Sequence, residues 1–170
     1  MGNYSELKKS YDILIDLLSS LTKQGGVDAS AEEIANTFKA EFICYAGALT
    51  LCDGEIADAE LKTLSEIFGY RFDHIAVVKA AQSFAEAMDE IPQCLAIACR
   101  IDNTVADNKD LPLMSFYVVS MFANIAKAVV SADEELQENE LKLTAGYVNI
   151  LSEYMDNNLS EAAKAKMPKE

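Results

Sequence analysis

At 170 residues the chain is long enough for one well-cored domain and short for two. A hydrophobic share of 51% excludes disorder of the whole chain. With 28 acidic against 14 basic side chains the formal net charge is −14, a surface that repels nucleic-acid phosphate and anionic lipid and attracts cations and basic proteins.

Taken in chain order, every periodic segment favours helix. Tyr4, Leu7, Tyr11, Leu14, Leu18 and Leu21 fall on one face of a first amphipathic helix, which Gly25-Gly26 ends. Ser30-Ala31-Glu32-Glu33 reads as a capping box, the hydroxyl taking an orphan amide while Glu33 reaches back. From it runs a helix with Ile34, Phe38, Phe42, Tyr45 and Leu49 inward, stopping at Asp53-Gly54. The next helix, roughly Ala57 to Phe68, buries Leu61, Leu64 and Ile67 and ends at Gly69, a left-handed cap.

Asp73 is the expected N-cap of a fourth helix with Ile75, Val78, Ala81, Ala85 and Met88 inward. Pro92 suits the first turn of a fifth helix carrying Leu95, Cys99 and Ile101. Pro112 opens a sixth that is apolar nearly all round (Met114, Phe116, Val118, Met121, Phe122, Ile125), a pattern that belongs at the centre of a bundle. A seventh carries Leu141, Tyr147, Val148, Leu151 and Tyr154. The expectation is an all-α fold of about seven helices in one domain over residues 1–156, followed by a flexible polar tail over 157–170.

The strongest signal is an internal repeat. Asp53-Gly54-Glu55-Ile56-Ala57-Asp58-Ala59-Glu60-Leu61-Lys62 aligns without a gap on Asp133-Glu134-Glu135-Leu136-Gln137-Glu138-Asn139-Glu140-Leu141-Lys142. Four acidic positions pair, and helical patterns enter and leave both copies, which predicts a pseudo-two-fold repeat of helix–acidic loop–helix units. Asp53 and Asp133 sit near helix C-termini, where the macrodipole disfavours a carboxylate, whereas Glu60 and Glu140 sit in first turns that favour one. A hard cation would explain the aspartates. Asp53, Glu55, Glu60, Asp133, Glu135 and Glu140 are therefore the candidate ligands for Ca²⁺, Mg²⁺ or Mn²⁺, with Asp58 and Glu138 outside them. The spacing is not that of an EF-hand, because Gly54 is second and Glu60 eighth in the loop. The competing reading is architectural: caps and solvated charges, preserved because the two halves share an origin.

Catalysis lacks its usual equipment. His74 is the single histidine and sits at a helix start. The position three before it is Arg71, so the Glu-x-x-His pattern of a ferritin-like di-iron site is missing. Cys44, Cys52, Cys94 and Cys99 form no C-x-x-C pair and read as free, buried thiols in a reducing cytoplasm. Asp102, Asp107 and Asp110 read as a polar helix end and turn before Pro112. Met1 to Ser10 is polar and charged, which predicts no secretory leader, and Leu113 to Ala126 is too short to span a bilayer.

At the two acidic loops the chain resembles the TerB-like family, named for the tellurite-resistance protein TerB. Its signature is an Ala-rich helix, then Ala/Cys-Asp-Gly-x-[apolar]-x-x-x-Glu, then another helix. Cys52 to Glu60 follows that pattern, and Ala132 to Glu140 follows it except at Glu134, which replaces the glycine. Ala57 and Gln137 stand where the family often carries a capping Ser or Thr. The resemblance spans roughly Phe38 to Leu151. It implies an all-helical fold of pseudo-two-fold halves, cytoplasmic residence, no enzymatic activity and an acidic metal-binding centre. It also implies stress-response partners near membranes. The expected function is thus a non-catalytic tellurite-resistance-like domain that binds or senses a divalent cation. The alternative is an acidic adaptor that docks a basic protein without metal, and neither reading includes nucleic-acid binding or membrane insertion.

Overall fold

The computed structural model describes residues 3–22, 29–130 and 142–168. These residues form helices joined by turns and short loops, with no strand among them. In chain order the helices are α1 (Asn3–Leu21), α2 (Ala31–Thr50), α3 (Asp58–Phe68), α4 (His74–Ala87), α5 (Gln93–Thr104) and α6 (Met114–Val130). A π-helical turn, Lys142–Gly146, leads into α7 (Tyr147–Asn158), and a short α8 (Glu161–Lys164) follows.

The local signals act as their chemistry dictates. Ser30 Oγ accepts from the Glu33 amide at 3.2 Å while Glu33 Oε2 accepts from the Ser30 amide at 2.8 Å, closing the capping box that starts α2. Gly69 ends α3 at φ 75°, and the Asp73 carboxylate accepts from the Ala76 amide at 2.8 Å to start α4. Gly25-Gly26 and Leu141 lie outside the described residues.

Helix α6 is the hub. It packs against α1, α2, α3, α5 and α7, as a helix with apolar residues on most of its circumference must. Phe122 of α6 meets Phe42 of α2 at 4.9 Å and Tyr45 at 5.2 Å between ring centroids, and Tyr45 stacks on Tyr147 of α7 at 5.1 Å. Of the expected α1 stripe, Leu7, Leu14, Leu18 and Leu21 are buried and Tyr11 is half-buried, while the Tyr4 side chain lies outside what the structure describes.

Two expectations need correction. In α4, Ile75 and Met88 face out, at 66% and 51% exposed, and Ala85 is exposed too. The inward face is Val77, Ala80, Ala81 and Phe84. The reason is the approach of α2, which is so close that a Cβ on Gly47 would lie 2.6 Å from the Ala80 Cβ and 3.1 Å from the Val77 carbonyl oxygen. Only a small residue fits opposite Gly47, which sets Ala80 and Ala81 against α2 and leaves Ile75, Ala85 and Met88 on the outer side. The second correction concerns the segment after Asn157, expected to be a polar tail. It carries α8, capped by Ser160, and buries Leu159 and Ala163 against the core. Asn103 clips it to α5, its amide donating to the Asn158 carbonyl at 2.8 Å and its carbonyl accepting from the Ser160 amide at 2.7 Å.

Candidate functional site

The first acidic loop is a tight turn between α2 and α3. Helix α2 ends at Thr50 rather than running to Asp53, and the Leu51, Cys52 and Gly54 amides donate to the carbonyls of Gly47, Leu49 and Leu51. The chain reverses at Gly54, with φ 88°, a left-handed conformation that a side chain would strain. Asp53 is half-buried, and its Oδ1 accepts from the Glu55 amide at 2.9 Å. That bond gives Asp53 a local structural role, the kind the architectural reading of the repeat expects.

Glu60 is 5% exposed, and its Oε2 accepts from the Ala57 amide at 2.9 Å. Ala57 has no side-chain acceptor, so only the glutamate half of a capping box forms at the start of α3. Glu55 and Asp58 are exposed. The loop therefore holds Asp53 and Glu60 in fixed positions, each with one carboxylate oxygen occupied by a backbone amide. Thr50, at the end of α2, adds a buried hydroxyl without a hydrogen-bond partner among the described residues.

Asp133, Glu135 and Glu140, with Glu138 beside them, lie outside the described residues. Among the described residues no three His, Cys, Asp or Glu side chains are grouped to hold a metal ion. Asp53, on the turn between α2 and α3, and Glu60, in the first turn of α3, are both oxygen donors. The Tyr45 hydroxyl of α2 donates to the Leu143 carbonyl at 3.2 Å, three residues past Glu140.

Two carboxylates that the sequence reading did not single out, or read differently, have the most developed surroundings. Helix α5 starts after Pro92, which offers no side-chain cap, and Glu41 of α2 supplies one. Its Oε1 accepts from the Gln93 amide and its Oε2 from the Cys94 amide, both at 2.7 Å. Helix α6 starts after Pro112 and Leu113, and Asp102 of α5 does the same for it. Asp102 Oδ1 accepts from the Met114 amide and Oδ2 from the Ser115 amide, both at 2.8 Å, with the Ser115 hydroxyl donating to Oδ2 at 2.6 Å. Asp102 is 0% exposed, so it is no solvated helix end, whereas Asp107 and Asp110 are exposed as expected.

Both carboxylates were detectable as anomalies. Glu41 falls on the apolar stripe of Phe38, Phe42 and Tyr45, and Asp102 on that of Leu95, Ala98 and Cys99. A charge on a buried stripe needs donors, and a proline-led helix start without a cap has donors to spare.

The thiols are poorly placed for nucleophilic chemistry. Cys44, Cys94 and Cys99 form no disulfide among the described residues. Burial pushes the Cys99 thiol up to about 11, with the Asp102 charge adding to it. Burial also raises Cys94 and Cys44, with Glu41 as the second cause for both. A thiol held protonated is a weak nucleophile and a weak metal ligand. His74 stands exposed at the first position of α4. No helix among the described residues is long and apolar enough to cross a membrane. No family model, curated protein or solved structure matches this chain.

Proposed function

We propose that this chain is a non-catalytic helical domain that binds or senses a divalent cation at its paired acidic loops, in the manner the TerB-like resemblance implies. Asp53 and Glu60 serve as ligands on one side and Asp133 and Glu140 on the other, with Glu55 and Glu135 flanking them. Ca²⁺, Mg²⁺ and Mn²⁺ are the ions whose preference for oxygen matches this donor set. Cytoplasmic residence, a stress-response role and a protein partner near a membrane belong to the same proposal.

The observation that carries the reading is the bond from Tyr45 to Leu143. It ties the chain just beyond the second acidic segment to the helix whose end bears the first. The buried Thr50 hydroxyl, unpartnered among the described residues, gives that end of α2 a further oxygen donor. The test is a calorimetric titration of chelator-stripped protein with each ion, beside an Asp53→Asn/Asp133→Asn variant. Saturable binding that disappears in the variant is the expected result. Binding that is absent, or unchanged by the substitutions, refutes the reading.

A second reading rests on a different observation. Asp53 and Glu60 each have a structural hydrogen bond, so the loop has a reason to exist without an ion. On that reading the chain, at net charge −14, is an adaptor for a basic protein, and its complex weakens with salt and survives chelator.

A further inference from the structure

A cavity of about 160 Å³ is walled by α2, α4, the turn before α5, α6 and α7. Its volume is close to that of an apolar cavity that admits a benzene-sized molecule, about 150 Å³. Three aromatic side chains line it: Phe84, Phe122 and Tyr147. Tyr147 meets Phe84 at 5.2 Å and Phe122 at 5.9 Å between centroids, both edge to face, so rings of different orientation meet there. Two carboxylates, Glu41 and Glu90, share the lining with them, and among the described residues no Lys, Arg or His does.

We propose that this cavity binds a small organic ammonium ion, a protonated amine carrying an aryl or short alkyl body. The apolar space takes the body. The aromatic faces and the carboxylates take the charge, an ammonium being attracted to both. Glu41 is already fixed by the two amides at the start of α5, so binding does not have to order it. The same helix start cancels about half of the Glu41 charge. Glu90 is exposed and supplies a second negative charge at the lining. A neutral molecule of the same shape fills the space but gains none of the electrostatic attraction, and an anion is repelled.

The test titrates the full chain with benzylammonium and with its neutral counterpart, benzyl alcohol, in the presence of EDTA. The chelator removes divalent ions, so the outcome is independent of the acidic loops. Benzylammonium is expected to bind saturably and about 5- to 30-fold more tightly than benzyl alcohol. Glu90→Gln should weaken benzylammonium and leave benzyl alcohol unchanged. Ala87→Phe, at the exposed end of α4, should block both, and Ser83→Phe provides a second plug at a different point of the lining. Thermal unfolding of each variant confirms that it remains folded. Equal affinity for the two probes overturns the proposal, as does the absence of saturable binding or binding that survives both plugs.

Discussion

Asp102 and Glu41 stand where a helix begins without a cap of its own, and each satisfies two backbone amides of another helix. A carboxylate at a helix N-terminus gains from the dipole as well as from charge-assisted hydrogen bonds. The cost is desolvation. For Asp102 burial outweighs the hydrogen bonds from Ser115 and Met114 and the charge of Lys166, and its pKa lies above the ordinary 3.8. The folded state thus holds the Asp102 proton more tightly than the unfolded chain does. The resulting stabilisation is full below 3.8 and fades as pH rises through the folded value. Asp102→Asn places an amide group against backbone donors and should cost about 2 kcal/mol in urea unfolding. The margin of the wild type over this variant should narrow as pH rises above 3.8, and a widening margin would contradict the assignment. At this scale the sequence shows that a charge interrupts an apolar stripe. It does not show which helix start lies across from it, because that depends on tertiary packing.

Helix pairing explains why some elements were legible and one face was not. The ends of α2, α3 and α4 follow from Ser30, Gly69 and Asp73, whose caps are local chemistry between residues close in sequence. The inward face of α4 is a tertiary choice. An Ala-rich helix offers more than one plausible stripe, and the close approach at Gly47 selects the one with Ala80 and Ala81. Gly47→Ala should therefore destabilise the fold by roughly 1–3 kcal/mol. Ala80→Gly should recover part of that loss in the double variant, since the two substitutions share one contact. Simple additivity of the two costs would mean that the α2–α4 approach is not the constraint. The short α8 escaped the sequence reading for a related reason: Leu159 and Ala163 are too few to make a periodic pattern, and their burial comes from docking.

Across the whole molecule, the repeat in the sequence predicts two like halves, and the described part bears on one of the two loops. Its turn follows the sequence closely, with Gly54 left-handed, Asp53 bonded to the Glu55 amide and Glu60 reaching back to Ala57. The first-turn position of Glu60 was readable from the sequence; the bond from the Glu55 amide to Asp53 was not, because the reading there rested on the helix macrodipole alone. Whether two loops distant in sequence share an ion is a long-range matter that repetition alone does not decide. Calorimetry on the single variants Asp53→Asn and Asp133→Asn addresses it most directly. A shared centre predicts one ion per chain in the wild type and loss of that same binding event in either variant. Two independent binding events, each lost in only one variant, or no binding at all, would contradict a shared cation centre.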